Sequence, residues 1–176
     1  MVTLVYQDYE FNKKRYKKEE TTLKKHLDEA VIIDHVGSTA IPNIYGKNIL
    51  DILVGVPNKN IFNETKKQLL NLGYKIKNES KDDIYQFLST STNETTAKDT
   101  HIHLVITGTK RYDDFLILRD YLLNNEKEAQ AYSNYKKELI ERSITERKEY
   151  RSVKSLYVEK LIKRARKNMV KTQINQ

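Results

Sequence analysis

The stretch HVGSTAIPNIYGKNILDILVGV, residues 35–56, decides how this chain is read. It holds the end of one apolar run, a Gly37-Ser38 pair, a connection broken by Pro42 and Gly46, and a second apolar run with one acid, Asp51. Alternate residues of a strand face opposite sides. Leu50, Ile52, Val54 and Val56 therefore share one face, and Ile49, Asp51 and Leu53 the other. Both faces are apolar, which predicts a central strand covered on both sides. A carboxylate placed there loses hydration, a cost that a paired cation, a hydrogen-bond donor or a metal must offset. Asp51 alone is compatible with an internal Lys, Arg or backbone partner as well as with a bound cation. Gly37-Ser38 narrows the choice. A strand that ends in glycine and opens into a helical turn directs backbone N–H groups and the Ser38 hydroxyl at an anion. An anion cradle closing one strand, with a carboxylate thirteen residues later in the next, points to phosphates bridged by a divalent cation.

Working outward, residues 8–29 predict a helix: Tyr9, Tyr16, Leu23, Leu27 and Ala30 fall on one stripe. AVIIDHV, residues 30–36, is a β-branched run and reads as a strand. Residues 38–47 read as a turn with one helical turn, and 48–56 as the second strand, stopped by Pro57-Asn58. Residues 60–72 suit a helix closed by Gly73. Residues 74–79 and 84–90 read as strands about a polar turn, STSTNETTAKD as an exposed loop, and 101–107 as a further strand. Helices are expected over 111–124, 126–142 and 145–168, and a frayed tail over 171–176. No repeat and no Pro/Gly/Ser-rich linker divides the chain, so residues 1–170 are expected to form a single α+β domain.

Composition excludes several classes. The 176 residues contain no cysteine, so disulfide frameworks, thiolate metal sites and cysteine nucleophiles are out. No apolar stretch reaches membrane-spanning length, and charge follows too soon after Met1 for a secretory signal; the expectation is a cytoplasmic protein with no membrane association. The net charge of +8 is concentrated between Lys136 and Lys171, where thirteen Lys or Arg meet five Asp or Glu. A basic helical segment attracts phosphates, or is simply a solvated face. No recognised nucleic-acid-binding motif accompanies it, so nucleic acid is not the favoured partner.

The residue pattern resembles the GrpB family of small proteins. HVGSTAIP leading to KNILDI carries the first motif, HIHLVITG the second, LRDYLLNNEKEAQAYSNYKKEL the third and YRSVKSLYVEKLI the fourth, in order over nearly the whole chain. The resemblance implies a nucleotidyltransferase-like fold: a mixed β-sheet with an N-terminal helix and a helical C-terminal half. It also implies a nucleoside triphosphate substrate, a divalent metal (Mg or Mn) and transfer of a nucleotidyl group to an acceptor; zinc (Zn) enters as an alternative through the pattern of His101 and His103.

Carried over position by position, Gly37 and Ser38 match the phosphate-binding turn, Asp51 the first metal carboxylate, Lys47 a family lysine that would neutralise phosphate or pair with Asp51, and Arg119 a family arginine suited to phosphate. The second carboxylate of the superfamily belongs two residues after Asp51, where this chain has Leu53. The third belongs on the strand of His101 and His103, which carries no acid, with Asp99 just before it. His101 and His103 share a strand face, so with Asp51 they form a candidate two-His, one-carboxylate metal set. Alternatively His103 serves as a general base with Asp51, or both imidazoles merely hydrogen-bond the acid. Arg119 lies on the apolar stripe of its helix, which predicts either a phosphate ligand or an internal salt bridge to Asp51 or Asp120. His35 is expected to brace the Gly-Ser turn. Lys136 and Lys154 also match family lysines. Two functional expectations lead: a metal-dependent nucleotidyltransferase with an incomplete acid set, or a binding module for a nucleotide or another phosphorylated small molecule. Nucleic-acid binding by the basic C-terminal helices, and a metal-dependent hydrolase or other transferase using the histidines, are the remaining alternatives.

Overall fold

The computed structural model describes residues 1–77, 84–90 and 99–174. In chain order the elements are β1 (Val5–Tyr6), α1 (Tyr9–His26), β2 (Ile32–Val36), a three-residue 3-10 turn (Ser38–Ala40), β3 (Tyr45–Gly46), β4 (Leu50–Val56) and α2 (Lys59–Asn71). Then follow β5 (Lys75–Ile76), β6 (Tyr85–Ser89), β7 (Thr100–Ile106), α3 (Lys110–Asn124), α4 (Glu126–Glu141) and α5 (Arg147–Ile174). Helix starts are set by side-chain caps of the usual type. Asp8 accepts from the Phe11 N–H, Asn58 from those of Asn60 and Ile61, and Thr109 from that of Tyr112. Among the described residues no helix is long and apolar enough to cross a membrane.

Five strands form a mixed sheet in the order β2-β4-β7-β6-β5. β4 runs antiparallel to β2 and parallel to β7, and β6 is antiparallel to both β7 and β5. β4 is thus central, as its apolar run predicts, and every residue in it is buried except Asp51, which is half-buried. Its period-two pattern sorts the two sides. Leu50, Ile52, Val54 and Val56 join Ile102 and Leu104 of β7, Leu23 of α1, and Phe62 and Leu69 of α2 in the larger core. On the other side Leu53 packs with Val36, Val105 and Tyr112, backed by Phe115 and Leu116 of α3. The sheet is therefore a middle layer, with α1 and α2 on one face and α3 on the other. The expected fold class, α+β with a mixed sheet, an N-terminal helix and a helical C-terminal half, is the one observed.

Two features differ from expectation. The connection 38–47 is more than a turn: it contains β3, which pairs with β1 in a two-stranded ribbon through Val5↔Gly46 and Tyr6↔Tyr45. Gly46 is required by close approach, since a Cβ there would lie 2.7 Å from the Ser38 Cβ. The ribbon ties the N-terminus to the Gly-Ser turn, and Ile41 and Ile44 beside it pack with Leu122, Ala129, Tyr132 and Leu161 of the C-terminal helices. In addition α5 runs to Ile174, beyond the expected end at 168 and into the expected tail. The expected polar turn around 80–83 and the 91–98 part of the STSTNETTAKD loop lie outside the described residues.

Candidate functional site

Strand register brings the site together. Asp51 of β4 stands opposite His101 of β7, and Leu53 opposite His103. On the other flank Val36 pairs with Asp51 and Asp34 with Leu53. Asp51, His101 and His103 thus share the sheet face that looks toward α3 and α5. Gly37 follows β2 directly, with φ +73°. A Cβ on it would sit 2.4 Å from Asp51 Oδ2, so both the left-handed backbone and the close approach demand glycine there. The Gly37-Ser38 turn and Asp51 are therefore in contact, as the opening motif predicts.

A cavity of about 330 Å³ opens over this face. Gly37, Ser38, Gly46 and Lys47 form one rim; Asp51, His101 and His103 lie on the sheet side; Tyr85, Phe87 and Phe115 make an aromatic wall. Tyr132 and Lys136 of α4, together with Tyr150, Arg151 and Lys154 of α5, complete it. All the predicted site residues, Arg119 included, line this one cavity.

The acid and the imidazoles are already engaged. His101 Nδ1 lies 3.2 Å and His103 Nε2 3.4 Å from the same oxygen, Asp51 Oδ1. His103 Nδ1 lies 3.1 Å from the Tyr85 hydroxyl. When Nε2–H of His103 donates to Asp51, Nδ1 accepts the Tyr85 O–H, and neither nitrogen is left for a substrate proton. Burial works to raise the Asp51 carboxyl, but the hydrogen bonds and charge of the two histidines outweigh it and hold the acid below the usual carboxylate value.

The residues do not fit a divalent metal. Magnesium and manganese prefer oxygen donors, several of them carboxylate. Leu53 is fully buried in an apolar cluster. Asp34, beside it across the strands, is bound by Arg119 at 2.8 Å. Asp51 is left as a lone carboxylate whose Oδ1 meets two ring nitrogens. The zinc alternative meets a related obstacle: His101 Nδ1 and His103 Nε2 face Asp51 Oδ1 and His103 Nδ1 faces the Tyr85 hydroxyl, so these three nitrogens are already engaged. Among the described residues no group of three or more His, Cys, Asp or Glu is arranged to hold a metal ion.

Arg119 lines the cavity but serves the fold. Its Nη1 donates to Asp34 and its Nε to Asp120 at 2.7 Å. The expected salt bridge is present, with Asp34 rather than Asp51 as the partner on the sheet. His35 braces the turn as expected: its Nε2 is 2.9 Å from Thr39 Oγ1 and its ring stacks on Tyr16 at 4.8 Å. Burial pushes it down to about 4, so it is neutral at pH 7.

The remaining cations have no such service. Lys47, Arg151 and Lys154 make no hydrogen bond or ion pair with any described residue, although all three line the cavity. Burial, then the neighbouring Lys154, push the Lys47 ammonium down to about 8. Burial likewise lowers Lys154, against the pull of Asp51. Lys136 is buried, with 2 % of its surface exposed, and burial lowers it to about 7. Its Nζ donates to Ser38 Oγ at 3.0 Å and to the Tyr45 carbonyl, and it sits 4.4 Å over the Tyr132 ring. Ser38 Oγ accepts from Lys136, so its own proton is available to a ligand. The turn after Gly37 is a single 3-10 turn of three residues, too short for an appreciable dipole. The positive field comes from side chains, chiefly of α4 and α5. Sequence reasoning missed Arg151 and Tyr85 outright; the one available signal was that Arg151 and Lys154 sit three apart on α5, the spacing of a shared helix face.

The family model for GrpB protein matches residues 1–164. A UPF0157 protein of Vibrio cholerae is 31% identical over 85% of this chain and 75% of that protein. A UPF0157 protein of Streptomyces coelicolor is 26% identical over 73% of this chain, which spans 66% of that relative's length. Among solved structures, the conserved protein GrpB from Enterococcus faecalis is similar over 95% of this chain and 99% of that one, with 25% identity and a TM-score of 0.80. The Cid1 poly(U) polymerase, in a structure with magnesium and 3'-dATP bound, matches 68% of this chain and 38% of that one at 17% identity and a TM-score of 0.46. With a family model covering nearly all of its length, the chain belongs to the GrpB family.

Proposed function

We propose that this protein binds a phosphorylated small molecule, with a nucleotide as the first candidate, in the cavity between Ser38, Lys47 and Lys154, and that binding rather than nucleotidyl transfer is its primary activity. The observation that carries the reading is uncompensated charge. Lys47, Arg151 and Lys154 face one cavity without an ion pair to any described residue, and Asp51, whose charge pulls on Lys47 and Lys154, is the one carboxylate lining it among the described residues. Partly dehydrated cations that outnumber their counterions cost free energy, which an incoming anion offsets. Lysine, arginine and a serine hydroxyl together favour phosphate over other anions. The aromatic wall of Tyr85, Phe87 and Phe115 suits an apolar or planar group attached to that phosphate.

Transfer of a nucleotidyl group makes further demands. An acceptor hydroxyl would attack the α-phosphorus, pyrophosphate would leave, and a base would take the hydroxyl proton. His103 is the candidate base, and it would first have to give up Tyr85. The acid at position 53 is absent.

Thermal shift with ADP, ATP, GTP, CTP and UTP tests the reading. A rise in Tm with one or more of these, abolished in Lys154→Gln, is expected. Failure of every nucleotide to stabilise the protein, with or without magnesium, would overturn it. Release of pyrophosphate in the presence of an acceptor would replace binding with transfer.

A further inference from the structure

The charge census of the cavity goes further than phosphate in general. We infer that the site recognises a diphosphate group free of any divalent cation, with lysines and an arginine standing where a metal would otherwise neutralise the phosphates. This rests on the reading of the cavity as a phosphate site and specifies how that site works.

Lys47, Lys136, Arg151 and Lys154 face the cavity. Arg119 does not count, because Asp34 and Asp120 hold it at 2.8 and 2.7 Å. One carboxylate, Asp51, lies among these cations, and His101 and His103 already serve it. Four cations against one carboxylate leave an excess of three positive charges. A terminal diphosphate carries about three negative charges near neutral pH, a monophosphate about two. A magnesium-bound polyphosphate has had two of its charges cancelled and would leave the lysines undercompensated. Geometry agrees with charge. The anchors come from separate elements: Lys47 just before β4, Lys136 from α4, and Arg151 and Lys154 from α5. The Ser38 hydroxyl, which Lys136 holds at 3.0 Å, lines the same cavity. Lys154 lies near enough to Lys47, Lys136 and Arg151 for their charges to act on one another, and anchors drawn from separate elements suit a group with several phosphate oxygens better than a single small anion. The anion also restores full protonation to the lysines that burial depresses, so the count of four applies to the bound state.

Asp51 has opposite roles in the two possible designs. In a metal-dependent site it holds the cation that holds the phosphates, and its loss abolishes binding. In a metal-free site it is a like charge beside the ligand, and its loss tightens binding. Isothermal titration of the full chain with inorganic pyrophosphate and with ADP, in EDTA and then in excess magnesium, separates them. Binding in EDTA is expected, about tenfold tighter for pyrophosphate than for orthophosphate and weaker by about threefold when magnesium is added. Asp51→Asn is expected to tighten pyrophosphate binding by about threefold in EDTA. Lys154→Gln, which leaves the Asp51 network in place, is expected to weaken it by about tenfold with or without magnesium. Binding that requires magnesium and disappears in Asp51→Asn overturns the inference and leaves the phosphate reading standing. Absence of pyrophosphate and ADP binding in both conditions overturns the two together.

Discussion

Replacing Lys47 with methionine is expected to stabilise the ligand-free protein. Lys47 has no hydrogen bond or ion pair with a described residue, and Lys154, Arg151 and Arg147 all oppose its charge. Burial and these neighbours bring its ammonium from 10.5 to about 8. At about 1.36 kcal/mol per pH unit, that gap corresponds to ~3 kcal/mol of penalty on the charged form. Methionine keeps most of the apolar stem and removes the charge. Relaxation of the neighbouring side chains takes back part of the gain, so about 1–2 kcal/mol is expected, or about 3–6 °C in Tm for a chain of this size. The effect has a defined pH window. Below about pH 8 the lysine is charged in both folded and unfolded chains and the whole penalty is present. Between about 8 and 10.5 the folded protein sheds the proton first, the wild type gains stability with pH, and the two proteins converge. Urea denaturation followed by circular dichroism at pH 7, 9 and 10.5 measures this. Stabilisation by pyrophosphate should fall in the same variant, so the residue trades stability for ligand. A variant less stable than wild type at pH 7, or a gain that persists unchanged to pH 10.5, would refute the reasoning.

Two further substitutions separate structural roles from ligand roles. Gly37→Ala forces a side chain into a left-handed backbone and brings its Cβ to 2.4 Å from Asp51 Oδ2; a loss of about 3 kcal/mol in urea denaturation is expected, with loss of pyrophosphate binding. Arg119→Ala leaves Asp34 and Asp120 without their guanidinium. The pair is partly solvated, with 19% and 26% side-chain exposure for Arg119 and Asp34, so about 1–3 kcal/mol of stability should go. Pyrophosphate affinity, measured by titration calorimetry, should stay within about twofold; a tenfold loss of affinity at unchanged stability would make Arg119 a ligand group instead.

Much of the fold was legible because β4 is an unusually clear strand. Its alternation predicted both the central position and the face on which Asp51 lies. The Gly-Ser pair was placed beside Asp51 by its position at the end of the preceding strand, whereas His101 and His103 were assigned to that neighbourhood through the family resemblance. What the pattern could not supply was register: that Asp51 stands opposite His101 follows from the pairing of β4 with a strand about fifty residues away. Asp120 was a legible partner for Arg119, but its partner on the sheet was not, since Asp34 reaches it only through the β2–β4 alignment. The ribbon of β1 and β3 escaped notice because two-residue strands carry no periodicity. Arg151 and Lys154 looked like members of a solvated basic helix face. Their different status comes from how α5 crosses the cavity, a property of tertiary packing. The carboxylate set is the instructive case: Leu53 already announced that it was incomplete, and the structure adds that the one remaining acid is occupied by its histidines.

The central claim is that these cations hold phosphate, and a crystal structure of the protein grown with ADP and EDTA tests it most directly. Diphosphate oxygens about 3 Å from Ser38 Oγ and from the ammonium groups of Lys47 and Lys154 are the predicted result. A cavity without ligand at saturating ADP, or ADP seated elsewhere on the chain, would contradict it.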